Sequence, residues 1–172
     1  MVKTWDDLPK SVYGDIPDGN TIVALSVSMD STYGNSIYPG NYIDLYYQNY
    51  NDKGKLMLQK FIESIKVLAV TDSAGKSVFE TNEKLAQPAF LIFSVPEDLH
   101  LLLRKASYLS GTIFPVPRNA NYSNGNPKET RVVCTKIKEY ILDQTIDVDV
   151  KDKKKNIQIN TDNGNVSADV IE

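Results

Sequence analysis

A series of short apolar runs separated by turn residues is the feature that most limits the fold of this chain. In residues 21–29, every second position from Val23 to Met29 is apolar, which is the period of a β-strand with one buried face. Runs of the same kind predict further strands at about 42–49, 55–61, 65–70, 89–94 and 112–116, with later candidates at 131–137 and 141–150. Residues 156–160 and 166–171 flank a turn at 162–165, which predicts a two-stranded hairpin. We therefore expect a mainly β fold.

One segment has a convincing helical pattern and is predicted to form a helix over about 96–109. Pro96, Glu97 and Asp98 suit a first helical turn, because the missing proline N–H costs little there and the helix dipole favours carboxylates. Apolar residues then recur at spacings of three and four, at Leu99, Leu102, Leu103, Ala106 and Leu109. Ser94 stands three residues before Glu97, which is a capping-box spacing, although Val95 is an alternative start.

The 172 residues fit one domain with appendages. Residues 1–20 are predicted to be a lead-in that ends in a Pro-Asp-Gly-Asn turn, and 21–118 to be the main domain. The asparagine-rich stretch 119–128 is predicted to be a mobile loop, and 129–172 a C-terminal β extension. We thus expect one central unit followed by a loop and a C-terminal extension.

Composition excludes several classes of function. The chain has 19 Lys and Arg against 22 Asp and Glu, a net charge of -3, which argues against nucleic acid as a partner. His100 and Cys134 are the only residues of their types, so a Cys/His zinc site or an internal disulfide is excluded. No run is long and apolar enough to span a bilayer, and the first residues lack the apolar core of a signal peptide. The chain as given is predicted to be soluble, with Met1 either a native start or the start of a fragment.

No candidate catalytic constellation emerges from the sequence. His100 lies beside the apolar stripe of the predicted helix and needs a partner to act as a general base, so a surface or boundary role is favoured. Cys134 lies in a strand-like pattern, where a thiol is usually a small buried hydrophobe. Asp147 and Asp149 alternate on one predicted strand face, which is typical of a solvent-facing strand. No phosphate loop, EF-hand or nucleophile elbow is present, so we expect no cofactor, no metal and no enzymatic activity.

The tyrosines are unusually clustered. Six of the ten lie between positions 33 and 50, in and beside a predicted strand rich in Asn and Gln. Tyrosine has a flat apolar face and a polar tip, so the residues Tyr42, Tyr46, Tyr47 and Tyr50 are candidates for binding a glycan or a peptide. Cross-strand packing on a half-exposed sheet favours tyrosine as well, and it is the simpler explanation.

Four segments, in order, are similar to a known family. They are Ile-Pro-Asp-Gly at 16–19, Pro-Gly-Asn-Tyr-Ile-Asp-Leu at 39–45, the run 61–70 ending in Ile-Lys-Val-Leu-Ala-Val, and the strand-to-helix step 91–99 with Pro96 and Glu97. In this order and spacing, residues 16–118 resemble the SAF-type domain of the Flp/Tad pilus assembly protein family CpaB, also called RcpC. Asn41 stands where the family usually has Asp, and Val95 where Thr is common.

The resemblance implies a β-clip-like SAF domain that acts outside the cytoplasmic membrane, held in the full-length protein by an N-terminal anchor that this chain lacks. Its expected role is non-enzymatic assembly or scaffolding of a Flp/Tad-type pilus or related secretion system, with other proteins of that system as expected partners and peptidoglycan as a further candidate. Pro39 and Gly40 are expected to form a turn, and Asp44 to cap or bridge neighbouring backbone. A glycan-binding module is the alternative function, and an enzyme that uses His100 as its base is a third.

Overall fold

The structure of the chain, a computed structural model, describes residues 12–80 and 86–147 and the short strands at 159–160 and 167–168. After a 3-10 helix at Val12–Asp15, the elements are β1 (Asn20–Ser26), β2 (Tyr42–Tyr50), β3 (Leu56–Thr71), β4 (Phe90–Pro96), α1 (Glu97–Tyr108), β5 (Thr112–Pro117), α2 (Ala120–Asn124), β6 (Arg131–Val132), α3 (Thr135–Asp143), β7 (Ile159–Asn160) and β8 (Ser167–Ala168). The expectation of a mainly β fold is confirmed. Asp149, the 162–165 turn and residues 81–85 lie outside the described part.

Six strands form an antiparallel sheet in the order β1-β4-β3-β2-β5, and β6 pairs with β3. Ile62 faces both Leu45 of β2 and Val132 of β6, so β6 lies on the edge of β3 opposite to β2. β1 and β5 are the two outer strands. β5 carries Pro115 and Pro117, which agrees with the prediction that it is an edge strand.

The long strand β3 takes part in both halves of the sheet, and its backbone is irregular at Ser64. Its first part pairs with β2 as far as Lys66, and its last part, from Val67, pairs with β4. Register shifts near Leu45 on β2 and between Val67 and Ala69 on β3 accompany this change, and Ser64 has a φ of 65°. β-bulges bend a strand and increase its twist, so β3 directs its two parts toward different neighbours.

The core lies between the inner face of the sheet and the helices. The apolar residues of α1 predicted from their spacing, Leu99, Leu102, Leu103 and Ala106, are buried, so the predicted helix is confirmed. Its first residue is Glu97, after Pro96 as N-cap, and no side chain caps it. The capping-box prediction for Ser94 was therefore wrong; the Ser94 hydroxyl instead accepts a 3.4 Å hydrogen bond from Asn20.

Four of the predicted strands need correction. The runs at 55–61 and 65–70 are one continuous strand, because the bulge at Ser64 lets pairing continue. Over the described residues 131–147, most of the strand structure predicted at 131–137 and 141–150 does not form: β6 covers two residues, and α3 occupies Thr135–Asp143. Ile137 and Ile141 are buried and four residues apart, as on a helix face. Asp147 follows α3 and forms an ion pair with Lys105 of α1.

The 119–128 segment and the short strands at 159–160 and 167–168 also have defined structure. β7 pairs with β8 in antiparallel register, Ile159 with Ala168, as the hairpin prediction requires. The segment predicted to be a loop contains the short helix α2, whose N-cap Asn119 accepts a 2.9 Å hydrogen bond from the Tyr122 amide. Within the described part of the chain, no helix has the length and apolar character needed to cross a membrane.

Candidate functional site: an ionic cluster beside an exposed aromatic face

Two carboxylates are buried where β2, β3 and β5 meet. Asp44 is 6% exposed and Glu63 is 5% exposed. Arg118, just after β5, joins them: its Nε lies 2.9 Å from Asp44 Oδ2 and its Nη2 lies 3.2 Å from Glu63 Oε2. Buried carboxylates are strongly unfavourable unless they are paired, so this guanidinium is what makes the arrangement possible.

Two more cations complete what we call the ionic cluster, which consists of Asp44, Lys60, Glu63, Arg118 and Arg131. Lys60 Nζ lies 3.3 Å from Asp44 Oδ2 and 3.7 Å from Glu63 Oε2, and Arg131 Nε lies 2.9 Å from Glu63 Oε1. The cluster has one more positive than negative charge and ties β6 to the central strands.

The electrostatics of the cluster favour its charged state. Burial by itself raises the pKa of Glu63, but the hydrogen bond from Arg131 and the charges of Lys128, Arg131 and Lys60 outweigh it, so this pKa lies below its usual value. Burial also acts to lower the pKa of Arg118, and the hydrogen bond and charge of Asp44 outweigh that and raise it. Both groups are therefore ionised at neutral pH, with no proton to exchange, which is the behaviour of a structural ion-pair cluster.

Ser64, at the centre of the bulge, is buried and held in the left-handed region at φ 65°. Its amide donates to Asp44 Oδ1 at 3.0 Å, so Asp44 bridges to neighbouring backbone as expected. Its hydroxyl donates to the carbonyl of Lys128 and accepts from the Tyr122 hydroxyl at 3.0 Å, and its carbonyl accepts from Thr130 Oγ1 at 2.7 Å. These bonds offset a backbone conformation that is unfavourable for serine.

α2 is also held against the cluster. The guanidinium carbon of Arg118 lies 4.3 Å above the centre of the Tyr122 ring, and Tyr122 packs edge-on against Tyr42 at 5.9 Å. A cation over a tyrosine ring is attracted by the electrons of its face. The cluster therefore fixes the segment after β5 as well as the strands.

Several large aromatic and leucine side chains lie on one side of the β2–β3 hairpin and β5, with Gln48 between them. We call this group the aromatic face, and its residues are Tyr46, Tyr50, Leu56, Leu58 and Phe114. Register places Tyr46 opposite Phe114, Tyr50 opposite Leu56, and Leu58 opposite Gln48, so these side chains point to the same side of the sheet. Tyr50, Leu56 and Leu58 are 60%, 52% and 48% exposed, and the rings of Tyr46 and Phe114 stack at 5.7 Å.

The structure separates the four tyrosines that the sequence grouped as binding candidates. Tyr46 and Tyr50 lie on the aromatic face, while Tyr42 packs against Tyr122 beside the cluster. Tyr47 is fully buried on the opposite side of β2, where its hydroxyl accepts a 3.0 Å hydrogen bond from Asn49 and burial raises its pKa. Tyr47 therefore has no surface to offer a ligand, because consecutive strand residues face opposite ways.

The other residues singled out from the sequence have local roles. Pro39 and Gly40 form the expected turn: Gly40 has φ 88°, and the Asn41 amide donates to the Tyr38 carbonyl at 3.0 Å. His100 Nδ1 lies 2.9 Å from the hydroxyl of Thr21, and Cys134 is a partly buried N-cap of α3. Across residues 12–80 and 86–147, no group of three or more His, Cys, Asp or Glu side chains is arranged to hold a metal ion.

Sequence reasoning missed Lys60, Glu63, Arg118 and Arg131, because they come from three separate segments, namely β3, the residue after β5, and β6. The only local signal was the three-residue spacing of Lys60 and Glu63. The fold and the site define a mainly β domain whose central strands are locked by a buried ionic cluster and whose outer side carries an apolar face. Comparison with protein-family models, with curated proteins and with solved structures found no match.

Proposed function

We propose that this chain is a non-enzymatic assembly or scaffold component of a Flp/Tad-type pilus or related secretion system, acting outside the cytoplasmic membrane through protein contacts. The aromatic face carries this proposal. Tyr50, Leu56 and Leu58 are each about half exposed, and they adjoin the stacked pair Tyr46 and Phe114. A group of large exposed apolar side chains on one side of a sheet is typical of a protein interface.

The chemistry of the aromatic face suits a protein partner. Aromatic residues are enriched at interface centres, where burial of each large apolar side chain contributes about 1.5 to 3 kcal/mol. Lys60 lies opposite Tyr46, and Gln48 lies between Tyr46 and Tyr50 opposite Leu58, so polar groups are interspersed with the apolar side chains. Hydrogen-bonding groups among large apolar side chains are usual in specific protein interfaces, which carry about ten direct hydrogen bonds on average.

Rigidity is the second property that a scaffold needs, and the ionic cluster supplies it. Lys60 belongs to the strand that carries Leu56 and Leu58, and through Asp44 and Glu63 it is joined to β2, β5 and β6. A face held in one shape loses less conformational entropy on binding than a mobile one. The motif resemblance of residues 16–118 to the CpaB family supports the choice of a pilus or secretion system.

The test places a photo-crosslinking amino acid at Tyr50 in cells that produce the pilus or secretion system. We expect crosslinks to identified components of that system. The matched control is the same amino acid at Tyr108, which is 84% exposed on α1, away from the aromatic face. Equal crosslinking at both positions, or no crosslink to such a component, would contradict the proposal.

A second experiment tests whether the face is needed in assembly. Leu58→Lys should reduce pilus assembly or secretion strongly, because it buries a charge in the centre of the contact. Leu101→Lys is the control, since Leu101 is similarly exposed, at 58%, but lies on α1. Equal effects of the two variants would show that the lysine acts through general stability.

Glycan binding remains the alternative, favoured by the arrangement Tyr46, Gln48 and Tyr50 along one side of β2. Alternate strand residues are about 6.8 Å apart, so two tyrosine rings flank one amide at a spacing suited to a sugar chain. Sedimentation with purified peptidoglycan tests this: Tyr50→Ala should abolish binding and Tyr108→Ala should retain it. Absence of binding by the unmodified chain would remove the alternative.

A further inference from the structure

The two outer strands of the sheet differ in how well they resist further pairing. β5 contains Pro115 and Pro117, and proline has no N–H with which to bind another strand. β1, with the sequence Asn-Thr-Ile-Val-Ala-Leu-Ser, has neither proline nor charge. Ala24 and Ser26 are exposed. β1 therefore lacks the devices by which edge strands usually avoid a partner.

Hydrogen-bond phase shows which groups of β1 are available. The Val27 amide donates to the Ala89 carbonyl at 2.9 Å. Bonded and non-bonded pairs alternate along an antiparallel ladder. The backbone groups of the odd-numbered residues of β1 therefore point toward β4. The N–H and C=O groups of Ile22, Ala24 and Ser26 consequently point away from β4. Among the described residues, none of these groups has a backbone partner.

We propose that two copies of this chain pair through β1, antiparallel about a twofold axis at Ala24, to make one continuous sheet. In this register Ala24 lies opposite its own copy, Ile22 opposite Ser26, and Val23 opposite Leu25. Three bonded pairs exchange about six hydrogen bonds. The pairing extends the ladder that β1 already forms with β4.

The side chains of β1 favour a second copy as the occupant. Val23 lies opposite Phe93 of β4 and belongs to the core, and Leu25 packs against the core. In the dimer, Val23 and Leu25 of the two copies lie side by side, so the hydrophobic cores of both copies become continuous on one side of the sheet. No residue from Asn20 to Met29 is charged, so the chain's net charge of -3 brings no like charges together at the strand. Ala24, small and exposed, leaves room at the axis.

The first experiment compares the unmodified chain with Ala24→Pro and Ala24→Ser by sedimentation equilibrium up to about 1 mM, a range that covers weak dimers. The unmodified chain and Ala24→Ser should dimerise. Ala24→Pro removes one outward N–H per copy and should weaken dimerisation about 30-fold, as expected for two hydrogen bonds of average strength. A monomeric unmodified chain, or an unchanged Ala24→Pro dimer, would overturn the proposal.

Charged residues introduced at the same position test the proposal even if the proline variant misfolds. Ala24→Lys and Ala24→Glu place like charges opposite each other in the homodimer and opposite charges in the mixed dimer. Each variant alone should be mostly monomeric, and an equimolar mixture should recover the dimer. Failure of the mixture to associate, with both variants folded by circular dichroism, would refute a twofold axis at Ala24.

Amide hydrogen exchange gives an independent measurement. The amides of Ile22, Ala24 and Ser26 should exchange rapidly in the dilute monomer and become protected as the concentration rises, while those of Val23 and Leu25 stay protected throughout. Protection of the outward amides in the dilute monomer would mean that the chain covers its own edge, and would contradict the proposal. This dimer is independent of the proposed role of the aromatic face.

Discussion

Removing the central cation of the ionic cluster should destabilise the domain markedly, and Arg118→Met is the substitution that does this with least change in side-chain length. The residue makes hydrogen bonds of 3.0 Å to Asp44 and 3.2 Å to Glu63 and stacks on Tyr122. Breaking a buried pair while leaving its partner charged typically costs about 3 to 5 kcal/mol. Lys60 still lies 3.3 Å from Asp44, so we expect the lower end, about 3 kcal/mol.

Chemical denaturation followed by far-UV circular dichroism measures this change as a lower midpoint at unchanged slope. In thermal unfolding the same loss corresponds to a Tm lower by about 6 to 12 °C for a chain of this length. Arg104→Met is the matched control, because Arg104 is exposed on α1, outside the cluster, and its loss should stay within about 0.5 kcal/mol. If the two variants unfold alike, the buried ion pairs do not stabilise this fold as argued.

Three further outcomes are expected. The pKa of Glu63 is lower in the folded state than in the unfolded state, so Glu63 contributes to the free energy of unfolding at neutral pH. This contribution is lost as the pH falls below about 5. Glu63→Gln should therefore make the stability measured in denaturation curves less dependent on acid pH. Gly111→Ala should destabilise by about 1 to 3 kcal/mol, because a Cβ there lies 2.5 Å from the hydroxyl of the buried Tyr47; Gly125→Ala, with a 3.1 Å approach, is the milder comparison in the same melts. Tyr140→Phe removes a 3.2 Å hydrogen bond from Asn49 and should cost about 1 kcal/mol by denaturation, with no loss of helix content.

Local patterns predicted the local elements well. β1, β2, β4, β5 and α1 lie within a few residues of the predicted segments, because alternation and three- or four-residue spacing record which side chains are buried. The segment of α3 was predicted to be strand because the preceding Val132 and Val133 favour a strand. Ile137 and Ile141, four residues apart, fit the two-residue period of a strand as well as the spacing of a helix. The helix is decided by tertiary packing, since α3 contacts α1 and β3 and buries both isoleucines.

The site was beyond sequence reasoning because it depends on long-range pairing. Asp44 and Arg118 are 74 positions apart, and their contact follows from the pairing of β2 with β5. Ser64 gave no signal either, since a left-handed residue inside a strand is usually glycine and its stability here comes from hydrogen bonds to distant segments. Burial of Tyr47 likewise follows from strand phase, which composition does not reveal.

The order of strands in the sheet has a consequence for how the chain reaches this structure. β2 and β3 are joined by a short turn. The pairs β1–β4 and β2–β5, in contrast, join residues about 70 positions apart, such as Val23 with Phe93 and Asp44 with Val116. Pairing at such separations slows folding, because loop closure precedes any gain from the contact. Refolding should therefore take milliseconds to seconds and begin at the β2–β3 hairpin. During that interval both sides of β1 are unpaired, and the yield of refolded protein should fall as its concentration rises.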